Sequence, residues 1–387
     1  MDVKASVSAH KAHMVELRRQ IHQNPELGWH EFETQALIIK ELERLGIPCE
    51  KVCGTGVIAT LKGAKEGPVT GLRADMDALP IQEKPDTPYR SQNPGVMHAC
   101  GHDCHVAMLL TAARVLKEME AQLYGTVKFI FQPAEEIIQG AQKMHTLPQL
   151  ADLNSIAGAH VWLDLDVGTF SAEPGPRMAC ADNIYLTVHG KSSHGAQPHQ
   201  SVDAILAACA IVEQLQIVAS RKVSPLEPVV VSIGTINGGT QSNIIANEVR
   251  LSGTVRCFSP QLRSQLPGLL ENIALSTAQA HGAVCDFTYE HCTPPTINHE
   301  KTTEIARGAI AGLFGPQSLV HMEKTTGGED FAWYLERVPG CFIFVGARNQ
   351  EAGKCYPHHH ECFDVDEEAL SGGAAALAQF ALDAGKP

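Results

Sequence analysis

The apolar pattern of this chain changes rhythm twice, and those changes limit its fold more than any other feature. VIATL (57–61), VTGLRA (69–74), TVKFIF (126–131) and IAGAHV (156–161) are short, near-continuous apolar runs, the pattern of strands covered on both faces. A long helix at about 104–120 lies between them, so a buried mixed α/β sheet is expected. The middle third then reads strand 183–190, helix 202–220, strand 229–236, strand 248–257, helix 261–282, strand 283–290. That is β-α-β-β-α-β, a split ferredoxin-like unit. The first rhythm returns with helix 302–314, strand 341–347 and a last helix from about Asp366. Pro174-Gly175-Pro176 and Pro294-Pro295 mark loop-like ends. The expected organisation is an α/β domain of two pieces, 1–181 and 294–387, with a second domain, 182–293, inserted. Before the first strand, 18–46 reads as two helices broken at Asn24-Pro25, the second carrying Ile38, Leu42 and Leu45 on one face and stopping at Gly46.

A chain of 387 residues, 44% hydrophobic and 19% charged, can bury a sizeable core in two domains. With 43 acidic against 30 basic residues it carries a formal charge of −13, which argues against a nucleic-acid partner. No apolar run approaches the roughly 20 residues of a membrane span, and the first 20 residues lack the apolar stretch of a signal peptide. Twelve irregularly spaced cysteines read as reduced thiols, so a cytoplasmic setting is expected.

Chemistry concentrates in MHACGHDCH (97–105) and FIFQPAEE (129–136). Cys100 and His102 combine a soft and a nitrogen ligand in a loop, and a thiolate there is basic enough to bridge two cations. Glu135 and Glu136 suit a division of labour in which one carboxylate binds metal and its neighbour takes a proton from water. GLRADMDALP (71–80), GAHVW (158–162), TTGGEDFAWYL (325–335) and HHHECFDVDE (358–367) sit where strands end or loops begin. A single histidine such as His160 is by default a hydrogen-bonded structural residue, and Asp75 and Asp77 could simply cap a loop. One of His358, His359 and His360 is a ligand candidate. Cys100 with Cys104, or Cys355 to Cys362, could instead hold structural zinc, although no second Cys-x-x-Cys knuckle completes a tetrahedron.

Competing motifs fail on inspection. GKS at 190–192 would need glycine where Tyr185 stands to be a P-loop. His30-Glu31 begins an HExxH string that Thr34 breaks, and His194 occupies the second glycine of G-x-S-x-G.

LRRQIHQNPELGWHEFET, LRADMDALP, MHACGHDCH, QPAEE, GAHV, HGKSSHGAQPH, GTVRCF and EDFAWYL together resemble the M20 metallopeptidase family. The likeness runs end to end and is to the amidohydrolase branch of hippurate hydrolases, N-acyl-amino-acid amidohydrolases and auxin-conjugate hydrolases. It implies a Zn-exopeptidase type of catalytic domain and two divalent metal ions per subunit, zinc first, with manganese, nickel or cobalt as alternatives. Cys100 would bridge them, His102 and His160 would hold one ion, and Glu136 with a C-terminal histidine the other. Counting back four from Phe363 selects His359, flanked by His358 and His360. The family usually has proline two residues after this ligand; here Glu361 stands. His102 is expected to replace the metal-binding histidine of an H-x-D motif, whose place is taken by Asp75-Met76-Asp77.

The resemblance further implies that Glu135 is the general base and that His194, on the inserted domain, donates to the oxyanion, often across a dimer. Asn243 and Arg256 would bind substrate carboxylate or carbonyl, unless Arg256 pairs with a nearby acid. The expected reaction is hydrolysis of N-acyl amino acids by a homodimer joined through the inserted lid domain. A dipeptidase or an N-acetyl-diaminopimelate deacetylase is the enzymatic alternative, and a metal-stabilised scaffold the non-enzymatic one. The presence of both Glu135 and Cys100 speaks against the scaffold.

Overall fold

The computed structural model describes residues 2–386. The chain forms two compact units. The first takes the chain up to Gly175, then Ile297–Glu323, then everything from Asp330; the second comprises Pro176–Thr296 and Lys324–Glu329. No periodicity announces that last hexapeptide.

In the first unit a seven-stranded sheet runs in the order Cys49–Val52, Gly56–Lys62, Tyr124–Gln132, Lys65–Asp75, Ser155–Asp166, Gly340–Arg348, Phe170–Ser171. The four strands from Tyr124–Gln132 to Gly340–Arg348 are mutually parallel, and the outer pairs are antiparallel. The parallel strands are the apolar runs: Phe129, Ile130 and Phe131 are all buried, as are Phe342, Ile343 and Phe344. Helices Val3–Gln23, His102–Glu118 and Glu368–Ala384 pack on one another and on this sheet. His102–Glu118 is buried almost all round, as a core helix must be. The alanine-rich last helix approaches it so closely that a Cβ on Gly373 would lie 2.1 Å from Met108 Sδ. The N-terminal helix starts at Val3, well before Arg18, with Asp2 capping the N–H of Lys4.

The second unit is a four-stranded antiparallel sheet ordered Val284–Thr293, Ala181–His189, Glu248–Cys257, Val229–Gly238. Helices Ala204–Leu215 and Pro260–Ala280, capped by Asp203 and Ser259, cover one face. Alternating Ile184, Leu186 and Val188 meet Ala207, Ile211, Leu266 and Leu270 there in a second core. Contrary to the expectation that no stretch approaches the length of a membrane span, the helical stretch Ala204–Lys222, 19 residues with mean hydropathy 1.4, is long and apolar enough to cross a membrane by length and composition alone. Its Ala204, Ala207, Ala208, Ile211 and Leu215 face is committed to the sheet.

Candidate metal centre

The parallel strands of the first unit deliver the site at or beyond their C-terminal ends, where an open α/β sheet places its ligands. Lys65–Asp75 ends on Asp75 and leads to Asp77; Tyr124–Gln132 leads to Glu135 and Glu136; His160 lies within Ser155–Asp166. Cys100 and His102 bracket Gly101, the N-cap of the core helix, at φ 91°. A Cβ at Gly101 would lie 2.3 Å from Val161 Cγ2, so the turn between these two side chains closes only around a residue without one.

Ligand atoms of Cys100, His102 and His160 lie within 4.8 Å of one another, and so do those of Cys100, Glu136 and His359. The thiol of Cys100 is the shared corner of both groups, 3.5 Å from His160 Nε2. Among the three consecutive histidines, His359 is the one that reaches the cluster. Its backbone sits in the left-handed region at φ 65°, which aims Nε2 to 3.4 Å from Glu136 Oε2. His358 instead donates Nε2–H to the Val161 carbonyl at 3.0 Å and packs against Trp162. His360 stacks on Tyr356 and accepts the N–H of Cys362.

Hydrogen bonds fix how the rings face. The Nδ1–H of His102 donates to the Asp77 carbonyl at 2.8 Å, which turns the Nε2 lone pair into the cluster. His160 Nδ1–H donates to the Val161 carbonyl at 2.7 Å. His102 Nε2 and Glu136 Oε1 are buried without any hydrogen-bond partner. Two orphaned acceptors beside a thiol, two further imidazoles and a carboxylate fit divalent metal ions.

The charges around the centre are strongly coupled. Burial, then the neighbouring Glu136, pushes the Cys100 thiol well above its ordinary value, and burial lifts Glu136 to about 7. For His102 burial opposes protonation, but Asp75 and the bond to Asp77 outweigh it and raise its pKa. His160 is held neutral by burial and by His105 and His358 beside it.

Supporting residues surround this cluster. Asp77 accepts the N–H groups of Glu135 and Glu136, each at 3.0 Å, so it does cap a loop, and that loop carries the two carboxylates. Glu31, also buried, holds the preceding Ala134 N–H at 2.8 Å. His105 donates Nδ1–H to Asp75 at 2.5 Å and accepts the Val161 N–H on Nε2 at 3.0 Å. Arg73, fully buried, bonds Asp75, Gln132 and Asp330. His105, Arg73, Asp330 and Glu31 were not singled out from the sequence, although each stands inside one of the quoted motifs, MHACGHDCH, LRADMDALP, EDFAWYL and LRRQIHQNPELGWHEFET.

In the second unit His194 accepts the Ala196 N–H on Nδ1 at 3.0 Å, which leaves Nε2 as its donor. The structure brings it beside Asn243, whose carbonyl takes the Gly195 N–H at 2.8 Å. Both residues are exposed. Arg256 is half-buried and bonds Thr254 and the Val255 carbonyl; no ion pair to it occurs among the described residues.

A mixed α/β sheet that gathers a thiol, imidazoles and paired carboxylates at the ends of its parallel strands defines a metal-dependent hydrolase. Residues 71–383 match Peptidase family M20/M25/M40, and the chain belongs to that family. It is 40% identical over 374 residues to N-acetylcysteine deacetylase of Bacillus subtilis, covering 95% of this chain and 96% of that one. IAA-amino acid hydrolase ILR1-like 4 of Arabidopsis thaliana is 39% identical over 373 residues, covering 95% and 84%. Among solved structures, the Bacillus subtilis YXEP protein, a dinuclear metal-binding peptidase of the M20 family, superposes with a TM-score of 0.86. It is 37% identical, over 97% of this chain and 98% of that one.

Proposed function

We propose that this chain hydrolyses the amide bond of N-acyl amino acids, releasing a carboxylic acid and a free amino acid, with two divalent metal ions in its first unit. One observation carries the reading: Cys100 belongs to both ligand groups, as a thiolate bridging two cations would. His102 and His160 would hold one ion, and Glu136 with His359 the other. The curated relatives, a deacetylase of N-acetylcysteine and a hydrolase of IAA-amino acids, support an acylated amino acid as substrate.

Metal bound here supplies Lewis acidity to a water and to the scissile carbonyl. Glu135, beside the ligands with its Oε2 3.8 Å from His102 Nε2, takes a proton from the attacking water and passes it to the leaving amine. Its backbone is anchored by Asp77, so the carboxylate works from a fixed base. His194 donates Nε2–H to the oxyanion, and Arg256 with Asn243 binds the substrate carboxylate or carbonyl. The second unit acts as lid and dimerisation surface; among the described strands, Val229–Gly238 pairs only with Glu248–Cys257, which leaves its outer edge for another chain. Thiolate, imidazole and carboxylate together favour zinc over manganese, nickel or cobalt. The twelve cysteines are all thiols, in keeping with a reducing cytoplasm.

The test is turnover of N-acetyl, N-benzoyl and N-indoleacetyl amino acids beside free-amine dipeptides after loading with each metal. Hydrolysis of the N-blocked compounds is expected; cleavage of dipeptides alone would overturn the reading.

A further inference from the structure

A charge cluster built on the N-terminal helix joins residues that adjoin the ligand segments. Arg18 is fully buried and contacts three carboxylates: Nε to Asp103 at 2.7 Å, Nη2 to Asp364 at 2.9 Å and Nη1 to Glu367 at 3.2 Å. A fourth acid, Glu83, joins through His22, which bonds Asp103 at 2.8 Å and Glu83 at 3.3 Å. Tyr89 lies under the guanidinium, 4.7 Å away, and gives its hydroxyl to Asp364 at 2.7 Å. Lys354 also bonds Asp364.

The partners of Arg18 stand at informative places. Asp103 directly follows His102 in the first turn of the core helix, and Asp364 lies five residues beyond His359. The two segments are far apart in sequence; one backbone hydrogen bond, from the His359 N–H to the Ala99 carbonyl at 2.8 Å, joins them on the ligand side, and the Arg18 guanidinium adds a side-chain bridge between Asp103 and Asp364. A planar guanidinium with donors in a rigid fork can hold acids on two segments at one separation, which an ammonium cannot.

We propose that Arg18 is a positioning residue: it clamps the segment carrying Cys100 and His102 to the segment carrying His359, and so presets the spacing of the two metal sites. The proposal rests on the two-metal reading. A clamp outside the ligand set acts on metal affinity before it acts on chemistry, and such outer partners typically change affinity about 10–100-fold.

The experiment is metal competition with a chromogenic chelator, using zinc, on the full chain. Arg18→Lys and Asp364→Asn are compared with wild type and with Glu41→Gln. Glu41 is a control because it is buried in the same unit in a separate cluster with His13, Arg44 and Arg114. Thermal unfolding of each metal-free protein is measured in parallel, which separates stability from affinity. Arg18→Lys and Asp364→Asn should bind zinc about tenfold or more weakly, and excess zinc should restore kcat; Glu41→Gln should lose stability while keeping wild-type affinity. Affinities for Arg18→Lys and Asp364→Asn that match wild type, or a Glu41→Gln loss as large as theirs, would overturn the clamp while leaving the metal site standing. Wild-type protein that took up no metal would overturn the two-metal reading and the clamp with it.

Discussion

Asp77 grips His102 and the Glu135–Glu136 pair at once: its carbonyl takes the Nδ1–H of His102, and its carboxylate takes the two successive backbone N–H groups. Asp77→Ala leaves those two N–H groups buried without their acceptor. Metal affinity should fall about 10–100-fold, measurable by equilibrium competition. Unchanged affinity in a folded variant would show that the loop holds its shape without this carboxylate.

Glu135→Gln should retain metal at wild-type stoichiometry and lose about 10²–10⁴ in kcat, the usual cost of removing a general base. Metal analysis and steady-state kinetics on one preparation decide it. Near-normal turnover by the metal-loaded variant would remove Glu135 from proton transfer.

The consecutive histidines provide an internal comparison. His359→Ala should lose one ion of the pair, because His359 faces Glu136, whereas His360→Ala should keep both, because its ring stacks on Tyr356. Equal losses in the two variants would contradict the assignment.

His194→Ala should cut turnover by about 10² or more with both metals in place, as for one oxyanion donor. Mixing these subunits with Glu135→Gln subunits tests whether the histidine is delivered across a dimer. Activity recovered after proven exchange supports delivery in trans; its absence assigns each histidine to its own subunit.

Acid should weaken the Arg18 cluster in a defined range. Burial opposes ionisation of Asp364, but Arg18 and Lys354 outweigh it and hold its pKa below the ordinary value. Its ionised form therefore adds stability above its unfolded pKa of about 3.9, and that stability is lost as pH falls through the lower folded value. The difference in urea midpoint between wild type and Asp364→Asn should be steady from neutrality to about pH 5 and shrink below about pH 4. A gap that persists undiminished to pH 3 would mean that Asp364 stabilises by something other than its charge.

What could be read from the sequence was local. The parallel strands announce themselves because burial on both faces makes them uniformly apolar, and Cys100-x-His102 and Glu135-Glu136 because their members adjoin. Cys49–Val52 was missed: its two central residues, Glu50 and Lys51, are both exposed, so neither alternation nor an apolar run marks it. Arg18 and Arg73 were illegible for another reason. An arginine in sequence reads as a surface charge, and although Arg73 has Asp75 two residues on, its other acid, Asp330, lies 257 residues away, while the acids that hold Arg18, Asp103 and Asp364, lie 85 and 346 residues away. His359 was selected by counting within the family pattern; its left-handed backbone, which physically singles it out from His358 and His360, is not a property that residue type reveals.

The site also has a dependence that a roll of ligands would omit. Gly101 offers the metal no atom, yet its neighbours on either side can converge only because Val161 finds nothing to strike there. Every one of the nineteen alternatives at that position introduces the same carbon, so even alanine, the mildest, is barred along with the bulky and the charged. Of the three residues of Cys-Gly-His, the chemically inert one is the one whose identity the surrounding backbone and Val161 dictate.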